Sequence, residues 1–497
     1  MNNKETLLGI RRGIEKESLR ALSGGGLALT PHPLALGAAL THPHITTDYS
    51  ESQLELITGV HAGVEAVLTE LTEIHQAVYR ALGDERLWVG SMPCGLPADE
   101  TIPIGRYGHS NVGRAKSVYR MGLGQRYGRR MQTISGIHYN WSIPGVGTEG
   151  YLGAIRNFRR DGWLLLYLFG ASPALCESFV AGREHGLQRL SGHTLYLPHA
   201  TSLRMGRLGY QSDAQASIAV SYNCLESYAA SLQGALSTPY PAYEAIGVQT
   251  PGGDYNQLST SLLQIENEFY STIRAKRVIR SGERPLHALR ERGVEYIEVR
   301  LMDLDPFEPV GIGADTIRVL DAFLLHCLHS DSPRDTPEEI AANARNQHAV
   351  AARGREPGLV LEHWRSGPKA LADWAADILA GCAVQAQALD AAHGGSAYSD
   401  ALRRVAQRLQ HPEQCPSARM LTVMAQDFDD SYVGFIRRQS EATREALLAR
   451  PYPPALQQRF EHLAAESLAE QARIEAADTL DFETFRRQYV SPARMAV

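Results

Sequence analysis

The tightest constraint on the fold of this chain is a set of short segments in which charged and apolar residues alternate. Side chains at i and i+2 of a β-strand leave the same face. Read as a strand, Gly13-Ile14-Glu15-Lys16-Glu17 sends Glu15 and Glu17 one way. Ile137-His138-Tyr139-Asn140 puts His138 and Asn140 opposite Ile137 and Tyr139, and Tyr296 to Leu301 puts Glu298 and Arg300 opposite Ile297, Val299 and Leu301. The stretch Thr47 to Glu55 holds the acids Asp48, Glu51 and Glu55, and a continuous strand would bring Glu51 and Glu55 into phase. Taken singly, each has a bland reading: a solvated strand face, a satisfied core histidine or a structural ion pair. Together they predict a sheet with a greasy back and a front that lines a polar cup.

Two carboxylates this close repel unless a cation lies between them. Hard cations such as Mg²⁺ prefer carboxylate oxygens and keep waters and substrate phosphates in their remaining positions. Six or so candidate ligands suit more than one ion, as phosphoryl transfer often requires.

The texture changes near residue 310. Before it, helical stretches mix with short β-rich runs and many glycines; after it the chain is alanine- and arginine-rich with helical periodicity almost to the end. Thr336-Pro337-Glu338-Glu339 has the form of a helix start, with Gly354 as its stop, and Leu456, Phe460 and Leu463 form an apolar helical stripe. Strands do not alternate regularly with helices, so the fold class is α+β. The polar segment Ser330 to Asp335 is too short for a domain linker. The expectation is one catalytic unit over 1–497, with a sheet-containing active-site part at 1–310 and a mostly helical part at 311–497 packed on it.

Formal net charge is −6 over 497 residues, which gives no general affinity for nucleic acid. The apolar run Trp163 to Cys176 is too short to span a membrane and is broken at Gly170-Ala171-Ser172-Pro173, so it reads as buried core. The start of the chain lacks the apolar region of a secretory signal. Six scattered cysteines without a CxxC pair read as mostly reduced thiols of a cytoplasmic protein. No complete P-loop, Rossmann fingerprint, HExxH or GxSxG motif is present. An ATP site here needs another device, and metal ions are the natural one.

These segments carry a resemblance. GIEKESLR (13–20), ITTDYSESQLELIT (45–58), SMPC (91–94), YGHSNVGRAKSVYRMGLGQRYG (107–128), MQTISGIHYN (131–140), LPHATSLR (197–204), LQIENEFY (263–270) and GVEYIEVR (293–300) are similar to the proteobacterial type of glutamate–cysteine ligase. The resemblance extends over essentially the whole chain. It implies a glutamine-synthetase-like catalytic fold, with a curved, mainly antiparallel sheet forming a cup. It implies ATP as co-substrate, two or three Mg²⁺ ions, and γ-linkage of L-glutamate to the amine of L-cysteine through a γ-glutamyl phosphate, the first step of glutathione synthesis.

Carried over by motif, the metal ligands are Glu15, Glu17, Asp48, Glu55, His138 and Glu298, with His138 also near substrate and Glu298 counted as catalytic. Arg300 and Arg204 bind glutamate or stabilise the transferred phosphoryl group, and Tyr119, Tyr210 and Tyr270 wall the cysteine side-chain pocket. The basic run with Arg274, Lys276 and Arg277 is set against nucleotide phosphates, the bland alternative being a solvated charge run. The implied partners are these small molecules alone, without nucleic acid or membrane, for a monomer or weak homo-oligomer. Two departures from the family pattern stand out. Trp141 follows GIHYN in place of phenylalanine, and a polar insertion after Ile143-Pro144-Gly145 is missing. The missing loop can carry a disulfide partner for Cys94, so no bridge is expected there. A sister ligase using another amine, or a non-catalytic homologue, are the competing readings; the presence of all six ligands argues against the second.

Overall fold

The computed structural model describes residues 3–209, 213–216, 218–280 and 283–491. Among them, the strands in chain order are β1 (Arg11–Ala21), β2 (Ile45–Thr47), β3 (Gln53–Ile57), β4 (Arg86–Leu87), β5 (Ile137–Ser142) and β6 (Ala174–Cys176). They continue with β7 (Gln188–Ser191), β8 (Thr194–Tyr196), β9 (Ile273–Lys276), β10 (Tyr296–Met302), β11 (Val360–His363) and β12 (Gly367–Ala370). Seven of these make one open sheet in the order β2-β3-β1-β5-β10-β9, with β4 paired to the far end of β1. Every pairing in it is antiparallel.

The alternation read from the sequence sorts the two faces. Ile14, Leu54, Leu56, Ile137, Tyr139, Trp141, Ile297 and Val299 are buried behind the sheet in one continuous apolar cluster. The helices Val64–Ala81, Thr148–Asp161 and Ala314–His329 pack into it through Val67, Leu71 and Ile74, Leu152 and Phe158, and Ile317, Leu320 and Phe323. Each fully buried side chain of this size contributes roughly 1.5–3 kcal/mol. The back face therefore provides the stability that a polar front face cannot.

A buried charged pair lies within the apolar back. Arg12 on β1 reaches Asp321 of the Ala314–His329 helix, with Nη2–Oδ2 at 2.6 Å and both side chains wholly buried. Tyr139 donates its hydroxyl to the other Asp321 oxygen at 2.7 Å, and Arg12 also donates to the Ala62 carbonyl and to Tyr398. The charge is thus satisfied on every side.

Residues beyond 310 are mainly helical, as the alanine-rich texture predicts. Pro337–Arg353 starts with Thr336 accepting from the Glu339 N–H at 3.3 Å, and Pro454–Ala477 buries Phe460. The exception is the β11–β12 hairpin, where Gly367 at φ +74° closes a short loop that helical periodicity did not reveal. The Tyr432–Ala449 helix lies against Val64–Ala81 and β4, and its Phe435 and Ile436 join Trp88 and Met92 in a second apolar cluster. The Trp163–Cys176 run is buried as a short helix, Trp163–Phe169, followed by β6.

Two expectations are corrected. Thr47 to Glu55 is not one strand: the chain reverses between β2 and β3, and Glu51 sits in the turn, where its carboxylate accepts from the His32 and Arg106 backbone N–H groups. Cys94 does have a partner. It is bonded to Cys176 of β6, with Cα atoms 5.1 Å apart and 82 residues between them in sequence. The missing loop after residue 145 was the wrong place to look, because this partner arrives from the buried run that ends in β6.

Asp321→Ala leaves the Arg12 charge buried without its counter-ion, which costs about 3–5 kcal/mol. A clear drop in the denaturation midpoint is expected, and Arg12→Met combined with Asp321→Leu recovers most of it. A single variant within about 1 kcal/mol of the parent would show that the pair carries no such weight.

Candidate active site

The front of the sheet faces a cavity of about 970 Å³. Register alone assembles its floor. Glu15 of β1 stands opposite His138 of β5, Glu17 opposite Glu55 of β3, and Glu298 of β10 opposite Asn140. Three strands distant in sequence therefore put their acids on one surface. Asp48, at the end of β2, completes the group that lines the cavity.

The contacts divide this floor into two halves. Glu298 is paired with cations: Lys276 Nζ at 3.1 Å, Arg300 Nη1 at 3.0 Å and Arg274 Nη1 at 3.9 Å. Burial opposes its charge, but Lys276, Arg300 and His138 hold its carboxyl well below the usual range. Glu15 behaves similarly. Burial pushes it up, yet its hydrogen bond with His138 Nδ1 at 3.0 Å brings it below the ordinary value. His138 is itself pushed down by burial and by Arg300, which favours the neutral ring that can ligate a metal.

The other half has fewer cations close by: Glu17 meets His138 Nε2 at 3.5 Å and the Gly136 N–H at 2.7 Å. Burial, with Asp48 beside it, raises Glu17 to about 8. Glu55 is raised well above its usual value by burial and by Glu15, Asp48 and Glu17 together. Carboxyls pushed upward by burial and by one another form a group whose charge a bound cation would relieve. Glu15, His138 and Glu298 also bring ligand atoms within 4.8 Å of one another. The donor set, hard oxygens with one imidazole, fits a magnesium-type ion.

Arginine and tyrosine side chains surround this floor. β10 carries a bulge between Val299 and Met302, so Arg300 lies where the ladder with β5 is interrupted. The Arg300 carbonyl is taken instead by Arg204 Nη2 at 2.9 Å, and both arginines line the cavity. Tyr119 and Tyr270 line it as well, and Tyr270 accepts a hydrogen bond from Gln132 Nε2 at 2.7 Å. Tyr210 lies outside the described residues.

The basic run is split by the strand period. Arg274 and Lys276 share the front face with Glu298 and line the cavity. Arg274 is already committed to the Asn267 and Phe269 carbonyls at 2.7 and 2.6 Å, and Lys276 to Glu298. Arg277 is not brought to the cavity: its guanidinium donates to the Gly293 carbonyl at 2.6 Å, beside Glu295.

Sequence reasoning missed Lys116 and Arg120, which enter the cavity beside Tyr119 from the Asn111–Tyr127 helix. Their i, i+4 spacing was the available signal. Burial, with Arg120 nearby, lowers Lys116 to about 8. Gln132 and Gln215 were also missed; Gln215 accepts from the Tyr270 backbone N–H at 2.9 Å.

A family model described as glutamate–cysteine ligase matches residues 1–146 and 145–350. A glutamate–cysteine ligase of Alcanivorax borkumensis is 48% identical over 506 residues, covering 97% of this chain and 96% of the relative. One from Pseudomonas entomophila is 49% identical, covering 98% and 97%. Among solved structures, a glutamate–cysteine ligase from Francisella tularensis in complex with AMP matches with a TM-score of 0.93 at 35% identity, over 98% of both chains.

The raised carboxyls give a pH signature. Glu17 moves from 4.5 to about 8, so between these values the folded, cation-free protein holds a proton that the unfolded chain has released. Stability must then fall as pH rises through that window. Thermal melts in a chelator should show this slope, and saturating Mg²⁺ should flatten it while releasing protons measurable by calorimetry in two buffers. A flat profile in chelator would overturn the assignment.

Proposed function

This chain belongs to the glutamate–cysteine ligase family, and from that premise we propose how its cavity shares out the work of the reaction. The reaction is the ATP-dependent ligation of the γ-carboxylate of L-glutamate to the amine of L-cysteine. A carboxylate does not condense with an amine in neutral water, because it is a poor electrophile. ATP overcomes this by transferring its γ-phosphoryl group to the γ-carboxylate, which leaves ADP and a γ-glutamyl phosphate. The cysteine amine attacks that carbonyl, phosphate departs, the nitrogen gives up a proton, and an amide remains. No protein nucleophile is consumed.

Catalysis is then positioning and charge neutralisation. Glu15, Glu17, Asp48, Glu55, His138 and Glu298 would hold two or three Mg²⁺ ions. Bound there, the ions would offset phosphate charge and stabilise the transferring group. Arg300 and Arg204 present guanidinium groups to the glutamate carboxylate and to the charge that develops on transfer. The Glu298–Arg300 contact at 3.0 Å keeps that guanidinium at the edge of the metal floor. Tyr119 and Tyr270 wall the cysteine side chain. Arg274 and Lys276 lie on the nucleotide side, where Lys276 can pass from Glu298 to a phosphate.

The observation that carries this reading is the Glu17–Glu55 pair. Two carboxyls, Glu17 buried and Glu55 half-buried, face each other across the β1–β3 ladder and are both pushed upward, in a cavity also lined by arginine, lysine and tyrosine. The unit at work is the whole chain, because Gln347, His348 and Tyr489 from the helical part complete the cavity wall. Its partners are the three small substrates. It works as a monomer or weak homo-oligomer in the cytoplasm, without nucleic acid or membrane. The mild net charge supports the reading without nucleic acid, and no helix among the described residues is long and apolar enough to cross a membrane.

Glu298→Gln should fold normally and lose on the order of 10²- to 10⁴-fold in turnover, followed as ADP release. A loss under tenfold would remove Glu298 from the metal site. Across a panel of amines cysteine should be preferred, with 2-aminobutyrate used more slowly, since a pocket separates such isosteres by only about 1–3 kcal/mol. Preference for an unrelated amine would overturn the acceptor assignment.

A further inference from the structure

Arg204 stands at the cavity on an unusual seat. Its guanidinium donates to the Arg300 carbonyl at 2.9 Å, the carbonyl released where β10 bulges. On one side lies Gly136, the residue just before β5. A Cβ built there would fall 2.0 Å from Arg204 Nη2 and 2.4 Å from Cζ, so the guanidinium occupies the space that any other residue would fill. On another side lies Asp303, buried, with one oxygen 3.7 Å from Arg204 Nη1. That carboxylate is itself fixed by the Ala171 N–H at 2.9 Å, Ser172 Oγ at 2.7 Å and Ser202 Oγ at 3.0 Å.

Gly136 has a second task. Its N–H donates to Glu17 Oε2 at 2.7 Å and its carbonyl accepts from the Glu17 N–H at 3.0 Å. One residue thus holds a floor carboxylate through its backbone and admits an arginine through its missing side chain.

We infer that Gly136 and Asp303 are positioning residues that act on the reaction through Arg204: Gly136 by giving the guanidinium its place, Asp303 by fixing its direction. This rests on the reading of Arg204 as a substrate or phosphoryl contact. Neither residue needs to touch a substrate. Gly136→Ala is a discriminating change because Gly136 is not in the left-handed backbone region and its Cβ would meet chiefly a movable guanidinium. The fold should survive while Arg204 is displaced.

The test is a double-mutant cycle on the full-length enzyme, read as kcat and KM for glutamate with ATP and cysteine saturating. Arg204→Ala is expected to lower kcat/KM by about 10²-fold or more, in line with loss of one fixed charge contact. Gly136→Ala should fall within about threefold of it and divide between kcat and KM in the same way, with an unchanged melting midpoint. The double variant should be no worse than Arg204→Ala alone. Asp303→Asn, which keeps the shape but removes one acceptor oxygen, should lose about three- to tenfold, and only when Arg204 is present. Losses that multiply in the double variant, or a silent Gly136→Ala beside a crippled Arg204→Ala, overturn the inference alone. A silent Arg204→Ala overturns the functional reading of Arg204 and the inference with it.

Discussion

Carboxylates crowded onto one face of a sheet repel each other and resist burial, and every larger feature of this molecule answers to that cost. The sheet has to be held from behind, because its front contributes little to stability without a bound cation. Hence the continuous apolar back, the three helices pressed on it, and a buried ion pair, Arg12–Asp321, that ties the central strand β1 to the helix behind. The antiparallel ladder then fixes which acids meet. With Glu15 opposite His138 and Glu17 opposite Glu55, the spacing of the floor is set by backbone hydrogen bonds and not by side-chain choice.

The electrostatic division of the floor follows from strand order. Glu298 lies beside β9, whose Arg274 and Lys276 share its face and satisfy its charge. Glu17 and Glu55 lie on the opposite side of β5, with Asp48 as neighbour and the more distant Arg204, Arg300 and Arg120 to moderate them. One end of the floor is therefore balanced by protein, and the other is left to whatever cation binds. That asymmetry suits a reaction in which phosphates and metal ions arrive together and leave together.

How much of this was legible beforehand depended on the range of the interactions involved. Period-two alternation is local, so Glu15, Glu17, His138, Glu298 and Arg300 could be placed on strand faces from the sequence, and the family resemblance brought them to one site. A turn inside an acidic stretch is less visible, which is why Glu51 was set in phase with Glu55 when the chain in fact reverses between them. The Cys94–Cys176 link escaped because it joins segments 82 residues apart, and one-dimensional spacing carries no record of such proximity. Lys116 and Arg120 were hidden by a helix with no clear apolar stripe to orient it. The seat of Arg204 could not be read at all, since it depends on a missing side chain at Gly136 and a bulge in β10.

The strand order also bears on how the chain emerges from a ribosome. β5 is complete at residue 142, but its second neighbour, β10, begins at residue 296. At roughly 5–20 residues per second the nascent sheet shows an unpaired edge for on the order of ten to thirty seconds. Such an edge is a template for pairing with other chains. β10 also brings Glu298 and Arg300, so a chain interrupted before it has neither a covered β5 edge nor a complete metal floor. For this protein, closure of that edge and assembly of the metal floor are reached at the same step of synthesis.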